Sequence, residues 1–208
     1  TTGILENLTT QSASLNSNMN IDIFNGLQNI QQLYRSNLAI LASEYQLENI
    51  LEQILNANQY SKNVATNPDY NGQVEFAVKL PGKETEDVVW LPIDSKFPLE
   101  TYDILIDLYE KGDKDSIESA RKKLISSIDA FAKEISSKYI SPPNTTDFAI
   151  MFLPVEGLFA EVLREPGVME TLRQKYQITL TGPTTLSALL NSLQMGFRTL
   201  QVQKRSSE

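Results

Sequence analysis

The chain has 208 residues, 41% hydrophobic and 21% charged, which suits one substantial core in an ordinary soluble protein: an α/β domain with an attached helical arm. It contains neither cysteine nor histidine, which excludes disulfides, thiolate nucleophiles, zinc–cysteine sites, histidine-based triads and imidazole metal ligands, and leaves carboxylates, lysine, hydroxyls and metal-bound water. Eighteen basic against 26 acidic residues give a formal charge of −8, the wrong sign for coating nucleic acid by bulk electrostatics, though a local basic groove remains open.

Residues 1–40 read as an N-terminal helical arm and 41–208 as the core. The first sixty residues lack proline and are rich in Asn, Gln, Ser and Leu. Phe24, Leu27, Tyr34, Leu38 and Leu41 fall at three-and-four spacing, which predicts a long helix or a helical hairpin; its upstream part could end a longer coiled coil and join copies of the chain. Leu47, Ile50, Leu51, Ile54 and Leu55 continue on a second stripe until Asn58-Gln59 and Asn67-Pro68-Asp69 stop it. From Gln73 to Leu80 the residues alternate, with Val74, Phe76, Val78 and Leu80 on one face and Glu75, Ala77 and Lys79 on the other, as in a half-buried strand. Pro81-Gly82 and the polar run Lys83 to Asp87 read as a turn into a second strand, Val88 to Lys96, making a hairpin in which Pro92 suggests an edge or a bulge.

A helix from about Leu99 to Glu110 follows, then a longer one with Ile117, Ala120, Leu124, Ile128, Phe131 and Ile135 on one stripe, its start marked by Asp115 and Glu118. Beyond Ser141-Pro142-Pro143, Phe148 to Val155 is a nearly unbroken apolar run, the candidate for the sheet centre. Helices around Gly157 to Leu163 and Met169 to Tyr176, a short strand Gln177 to Thr181 and a last helix opened by Pro183 complete a mixed central sheet flanked by helices. No run approaches the roughly 18 apolar residues that span a bilayer and no signal peptide opens the chain, so a cytoplasmic setting is expected. The start at Thr1 and the stop inside a helix-like run read as those of a fragment, its core cut short at the C-terminus.

Asp94 and Lys96 sit two apart on a strand, so both side chains leave one face, roughly 6–7 Å apart at the backbone. If the preceding strand pairs with theirs, Glu75 brings a second carboxylate to the same place. Two converging carboxylates repel unless a cation lies between them, and magnesium, a hard ion with a preference for oxygen, is the natural one. The pattern then suits metal-assisted phosphodiester hydrolysis: Glu75 and Asp94 hold the ion, the Ser95 carbonyl adds a ligand, and Lys96 orients or activates the water. Spacing alone favours an ordinary surface ion pair beside a solvated glutamate, because an isolated D-x-K is a weak motif.

Longer blocks narrow the choice. Val74-Glu75-Phe76-Ala77-Val78-Lys79-Leu80-Pro81-Gly82 and Trp90-Leu91-Pro92-Ile93-Asp94-Ser95-Lys96-Phe97-Pro98 resemble the central signature of RmuC proteins. Phe152-Leu153-Pro154-Val155-Glu156 and Gly182-Pro183-Thr184-Thr185-Leu186 resemble two later blocks of that family, in order, and the likeness runs from about Glu44 to the end. It implies a PD-(D/E)XK, restriction-endonuclease-like nuclease fold with Glu75 as first acid, Asp94 as second and Lys96 as the lysine. Glu44, in Ser43-Glu44-Tyr45-Gln46-Leu47, is similar to the glutamate of the family's helix block and would join the metal site, although Ala42-Ser43 replaces the usual Trp-Gly. The resemblance further implies DNA as partner, Mg²⁺ or Mn²⁺ as cofactor, and a membrane-anchored coiled coil ahead of the core in full-length relatives. A catalytically silent scaffold on the same fold, binding DNA structures or partner proteins, is the alternative.

Other residues carry weaker signals. Glu156 could face the site or open a helix, where the dipole favours an acid. Arg121-Lys122-Lys123, Arg198 and Lys204-Arg205 could meet phosphate or form a solvated face. Tyr102 could stack on a base or pack in the core. Asn144-Thr145-Thr146 matches a glycosylation acceptor and is set aside without a secretion signal.

Overall fold

The computed structural model describes the backbone of residues 2–81 and 88–207, and the side chains of Met19, 21–80 and 88–199. The polar turn expected at 82–87 and the basic side chains of Lys204 and Arg205 lie outside the described residues. The chain divides into two compact units, Thr1–Ala39 and Ile40–Glu208. A single helix, α1 (Thr2–Ile54), occupies the region where a helix or a hairpin was expected. Within the first unit the stripe of Phe24, Leu27, Tyr34 and Leu38 stands in solvent, Phe24 being 60% exposed.

In the second unit a five-stranded sheet has the order β1 (Tyr60–Val64), β2 (Val74–Pro81), β3 (Val88–Ser95), β4 (Ala149–Phe152), β5 (Ile178–Thr181). β1, β2 and β3 pair antiparallel, while β3, β4 and β5 pair parallel, so the sheet is mixed and β3 is its central strand. The apolar run expected at the centre is instead the inner strand β4, next to it. β1 was not foreseen: Tyr-Ser-Lys-Asn-Val offers no apolar alternation to betray an edge strand.

Pro92 sits in the central strand without a bulge, paired with Ala77. The N–H groups of Trp90 and Lys96 both point toward the β4 side, to the carbonyls of Asn144 and Phe152. By parity the N–H that Pro92 lacks faces that side too, in the gap between the lone bridge at Thr145 and the first ladder residue, Ile150. The proline therefore leaves no ladder bond unmade.

Helices α2 (Leu99–Lys111), α3 (Lys114–Tyr139), α4 (Glu156–Leu163) and α5 (Val168–Tyr176) connect the later strands, and α6 (Pro183–Ser207) closes the fold. α3 begins two residues earlier than expected: Gly112 ends α2 in the left-handed region at φ 72°, and Asp113, rather than Asp115, accepts the Ser116 N–H as N-cap. Two apolar clusters cover the two faces of the sheet. Leu105 of α2, the stripe Leu124, Ile128 and Ile135 of α3, Leu158 of α4 and Leu172 of α5 pack with Ala77, Met151 and Leu180. Leu47 and Leu51 of α1, with Leu186 and Leu190 of α6, pack with Phe76, Val78, Leu91, Ile93 and Phe152 on the other face.

The alternation expected for β2 breaks at one point. Val74 joins the α3-side cluster while Phe76 and Val78 join the opposite one. The β1–β2 ladder runs Lys62↔Phe76 and Val64↔Val74 and skips the rung between them, where Asn63 takes φ 50° opposite Glu75. A left-handed residue at that rung turns the strand, and the irregularity falls on the acid of interest.

Candidate active site

β2 and β3 set the geometry. Their register pairs Phe76 with Ile93, so continuing it places Glu75 opposite Asp94 on the face covered by α3. Glu75 Oε2 accepts the Ser95 N–H at 3.0 Å, which ties the first acid to the backbone of the strand that carries the second. Asp94 is 1% exposed. Its Oδ2 lies 2.9 Å from Lys96 Nζ, and among the described residues this buried oxygen has no donor besides that ammonium. Lys96 in turn lies over the Phe131 ring, 5.8 Å from its centroid, and its own N–H is held by Phe152 of β4.

The electrostatics follow from this crowding. Burial, then the charge of Asp94, pushes the Glu75 carboxyl up to about 8, with Glu44 adding to the effect and the Ser95 N–H and Lys96 opposing it. Burial also raises Asp94, against the attraction of Lys96. Burial pulls Lys96 down, but Asp94, Glu134 and Glu75 outweigh it and hold the ammonium above its ordinary value. Lys96 balances one of the two acids, so Glu75 keeps its proton near neutral pH and its ionisation adds a buried charge that the lysine does not offset. The two carboxylates, facing each other across the strand pair, are the oxygens here that could hold a hard divalent cation.

The structure thus brings together Glu75, Asp94, Ser95 and Lys96. Glu44, half-buried on α1, reaches Glu75 through its charge, but among the described residues no three acidic side chains come close enough to hold an ion together. Its neighbour Ser43 is buried at 3% exposure and sets its hydroxyl directly against that of Ser95, fastening α1 to the acid-bearing strand.

Sequence reasoning did not single out the α3 side of the site. Glu134 pairs with Lys138 at 2.5 Å and feels the charge of Lys96, and the raised phenol of Tyr139 feels Asp94 and Glu75. The only signal was the four-residue Glu134–Lys138 spacing, which marks any solvated helix face. The secondary candidates have protein partners or stand in solvent. Glu156 opens α4, and its Oε1 accepts the Thr184 N–H in the first turn of α6 at 2.6 Å. Arg121 hydrogen-bonds Tyr109 and faces buried Glu161, while Lys122 pairs with Glu118. Arg198 is exposed. Tyr102 packs near Phe97, with centroids 6.5 Å apart.

The profile of the RmuC family matches residues 41–208. The chain belongs to the RmuC family. Two curated relatives, each named "DNA recombination protein RmuC homolog", from Xylella fastidiosa strains Temecula1 / ATCC 700964 and 9a5c, are 51% identical over 166 residues, which is 79% of this chain and 36% of each relative. This RmuC chain therefore spans little more than a third of the relatives it matches. No solved structure matches it. Among the described residues no helix is long and apolar enough to cross a membrane.

Proposed function

We propose that this chain is the nuclease domain of a DNA recombination protein, hydrolysing phosphodiesters in recombination or rearrangement intermediates with the help of Mg²⁺ or Mn²⁺. The observation that carries the reading is Glu75 facing Asp94 across two strands, with Lys96 against the second acid. The succession of a helix, three antiparallel strands, helices and a parallel strand is consistent with the restriction-endonuclease-like fold that the family resemblance implies. The printed name of the relatives supplies the recombination context.

Glu75 and Asp94 would hold the cation, with the Ser95 carbonyl as a further oxygen and Glu44 as an outer acid. When bound, such an ion supplies Lewis acidity at the phosphoryl group and acidifies water. Lys96, fixed over Phe131 and held cationic by its acidic neighbours, positions the attacking water and steadies negative charge growing on the phosphate. DNA is the partner in this reading, the setting is the cytoplasm, and the exposed apolar stripe of α1 supports self-association through the arm.

The test is cleavage of labelled linear, single-stranded and branched DNA with Mg²⁺ or Mn²⁺, comparing the chain with Asp94→Asn and Lys96→Ala. Metal-dependent cutting that both substitutions abolish supports the assignment. Cutting left intact by Asp94→Asn refutes it. The scaffold reading draws on two observations, the net charge of −8 and the lack of a three-acid group among the described residues. DNA binding without cleavage at any metal concentration would favour it.

A further inference from the structure

A cleft of about 400 Å³ opens beside the connection between β1 and β2, and none of the acid–lysine residues lines it. Its walls include Thr66, Asn67, Tyr70 and Asn71 from that connection, Trp90 from β3, and Asn144 ahead of β4. The volume falls within the range of small-ligand sites. Trp90 and Tyr70 offer flat aromatic surface, and the three asparagines offer amides that both donate and accept. Among the described residues no charged side chain lines the cleft, though Lys79 Nζ stands 5.8 Å from the Trp90 ring centroid and Lys138 Nζ 5.5 Å from that of Tyr70. That chemistry suits a flat, neutral, hydrogen-bonding heterocycle and is wrong for a cation.

The walls are held in place from behind. Trp90 donates its N–H to the Asn144 carbonyl at 3.0 Å and accepts the Thr146 N–H at 2.9 Å, which fixes Asn144 beside the indole. Thr66 donates its hydroxyl to the Tyr139 carbonyl at 2.9 Å, and the Tyr70 ring meets Tyr139 edge-on with centroids 5.8 Å apart. Tyr70 also folds back over Gly72, where a Cβ would lie 2.3 Å from the ring, so only glycine permits this pose. Asn67 spends its oxygen on the Asp69 N–H, whereas among the described residues the amides of Asn71 and Asn144 have no protein partner.

Position connects the cleft to the acids. Trp90 and Asp94 are four residues apart on unbulged β3, hence on one sheet face and roughly 13 Å apart at about 3.3 Å per residue. A stacked DNA strand covers that distance in about four nucleotides at ~3.4 Å each, and an extended strand in fewer. We propose that the cleft is a nucleobase subsite, taking one unpaired base of a DNA strand whose backbone reaches Glu75, Asp94 and Lys96. The base stacks on Trp90 or Tyr70 and bonds to the asparagine amides. This rests on the nuclease reading and extends it: the preferred substrate has unpaired nucleotides within a few positions of the scissile phosphate.

Trp90 is the chain's only tryptophan, so its emission reports on the cleft alone. Short single-stranded oligonucleotides, the same strands with abasic positions, and blunt duplex are titrated in Ca²⁺ and in EDTA, with Trp90 emission and end-label anisotropy read together. The subsite requires quenching by the base-bearing strand, no quenching by the abasic one, and about 5- to 150-fold weaker binding of the latter. Asn71→Ala with Asn144→Ala, both exposed side chains, should weaken single-strand binding several-fold and leave duplex binding unchanged. Equal affinity for base-bearing and abasic strands, with unchanged emission, overturns the subsite and leaves the DNA reading standing. Failure to bind any DNA overturns both.

Discussion

Replacing Glu75 by Gln should stabilise the metal-free protein while abolishing the proposed activity. The carboxyl moves from 4.5 to about 8 in the fold, through burial first and the charge of Asp94 second. The folded state keeps a proton there that the unfolded chain releases near pH 4.5. Folding is therefore unpenalised below that pH, and stability falls as pH rises toward 8. At about 1.36 kcal/mol per tenfold, the deficit is under about 1 kcal/mol at pH 5, about 3 at pH 7 and about 5 at pH 9, with water at the open edge of the site reducing each. A glutamine keeps the shape, can still accept the Ser95 N–H through its oxygen, and stays neutral at the pH where an ionised Glu75 would repel Asp94. Urea unfolding between pH 5 and 9, followed by Trp90 emission and circular dichroism, should show the variant gaining on the wild type as pH rises, by about 2–3 kcal/mol at pH 7. Added Mg²⁺ should narrow the gap by stabilising only the wild type. Asp94 titrates in both proteins and largely cancels. Parallel pH profiles for the two would refute the claim that Glu75 is a confined, under-compensated acid.

Lys96→Ala should slow single-turnover cleavage about 100-fold or more while changing DNA affinity far less, because the lysine acts at the reacting phosphate and not as a general phosphate anchor. Asp113→Ala should lower the urea midpoint by uncapping α3. Ser116's hydroxyl and N–H hold the Asp113 carboxyl below its ordinary value, so the capping benefit is present at neutral pH and fades as pH falls through that lowered value. Glu161→Ala should destabilise by about 3 kcal/mol, since the 7%-exposed carboxylate receives the Tyr109 hydroxyl and faces both Arg121 and Arg164; Glu161→Gln, which retains an acceptor, should lose less. Differential scanning calorimetry of the two variants decides.

Much of this site could be read from order and spacing. The alternation from Gln73 and the period of two through Asp94 and Lys96 were enough to put both acids and the lysine on one sheet face, because a strand pair leaves little freedom once its register is set. The helical stripe from Ile117 to Ile135 likewise named the buried positions Leu124, Ile128 and Ile135. What stayed hidden depends on distant pairing. β1 exists because β2 offers it an edge, and Pro92 is tolerated at the centre because β4 begins one step later. Nothing local in Ser43 announces its contact with a hydroxyl 52 residues away, nor in Tyr70 and Asn144 that they flank one cleft.

The two faces of the sheet also differ in when they can be completed. One is covered by helices α2 to α5, whose leucines and isoleucines lie between Leu105 and Leu172, close in sequence to the strands they cover. The other needs Leu47 and Leu51 from one end of the core and Leu186 and Leu190 from the other. A chain emerging at 5–20 residues per second makes α1 wait roughly ten seconds for α6. The Ser43–Ser95 contact and the approach of Glu44 to Glu75 lie on that late-closing side. During synthesis the acid pair therefore meets on the side packed first by α3, and the contacts of Ser43 and Glu44 are added afterwards from the other face.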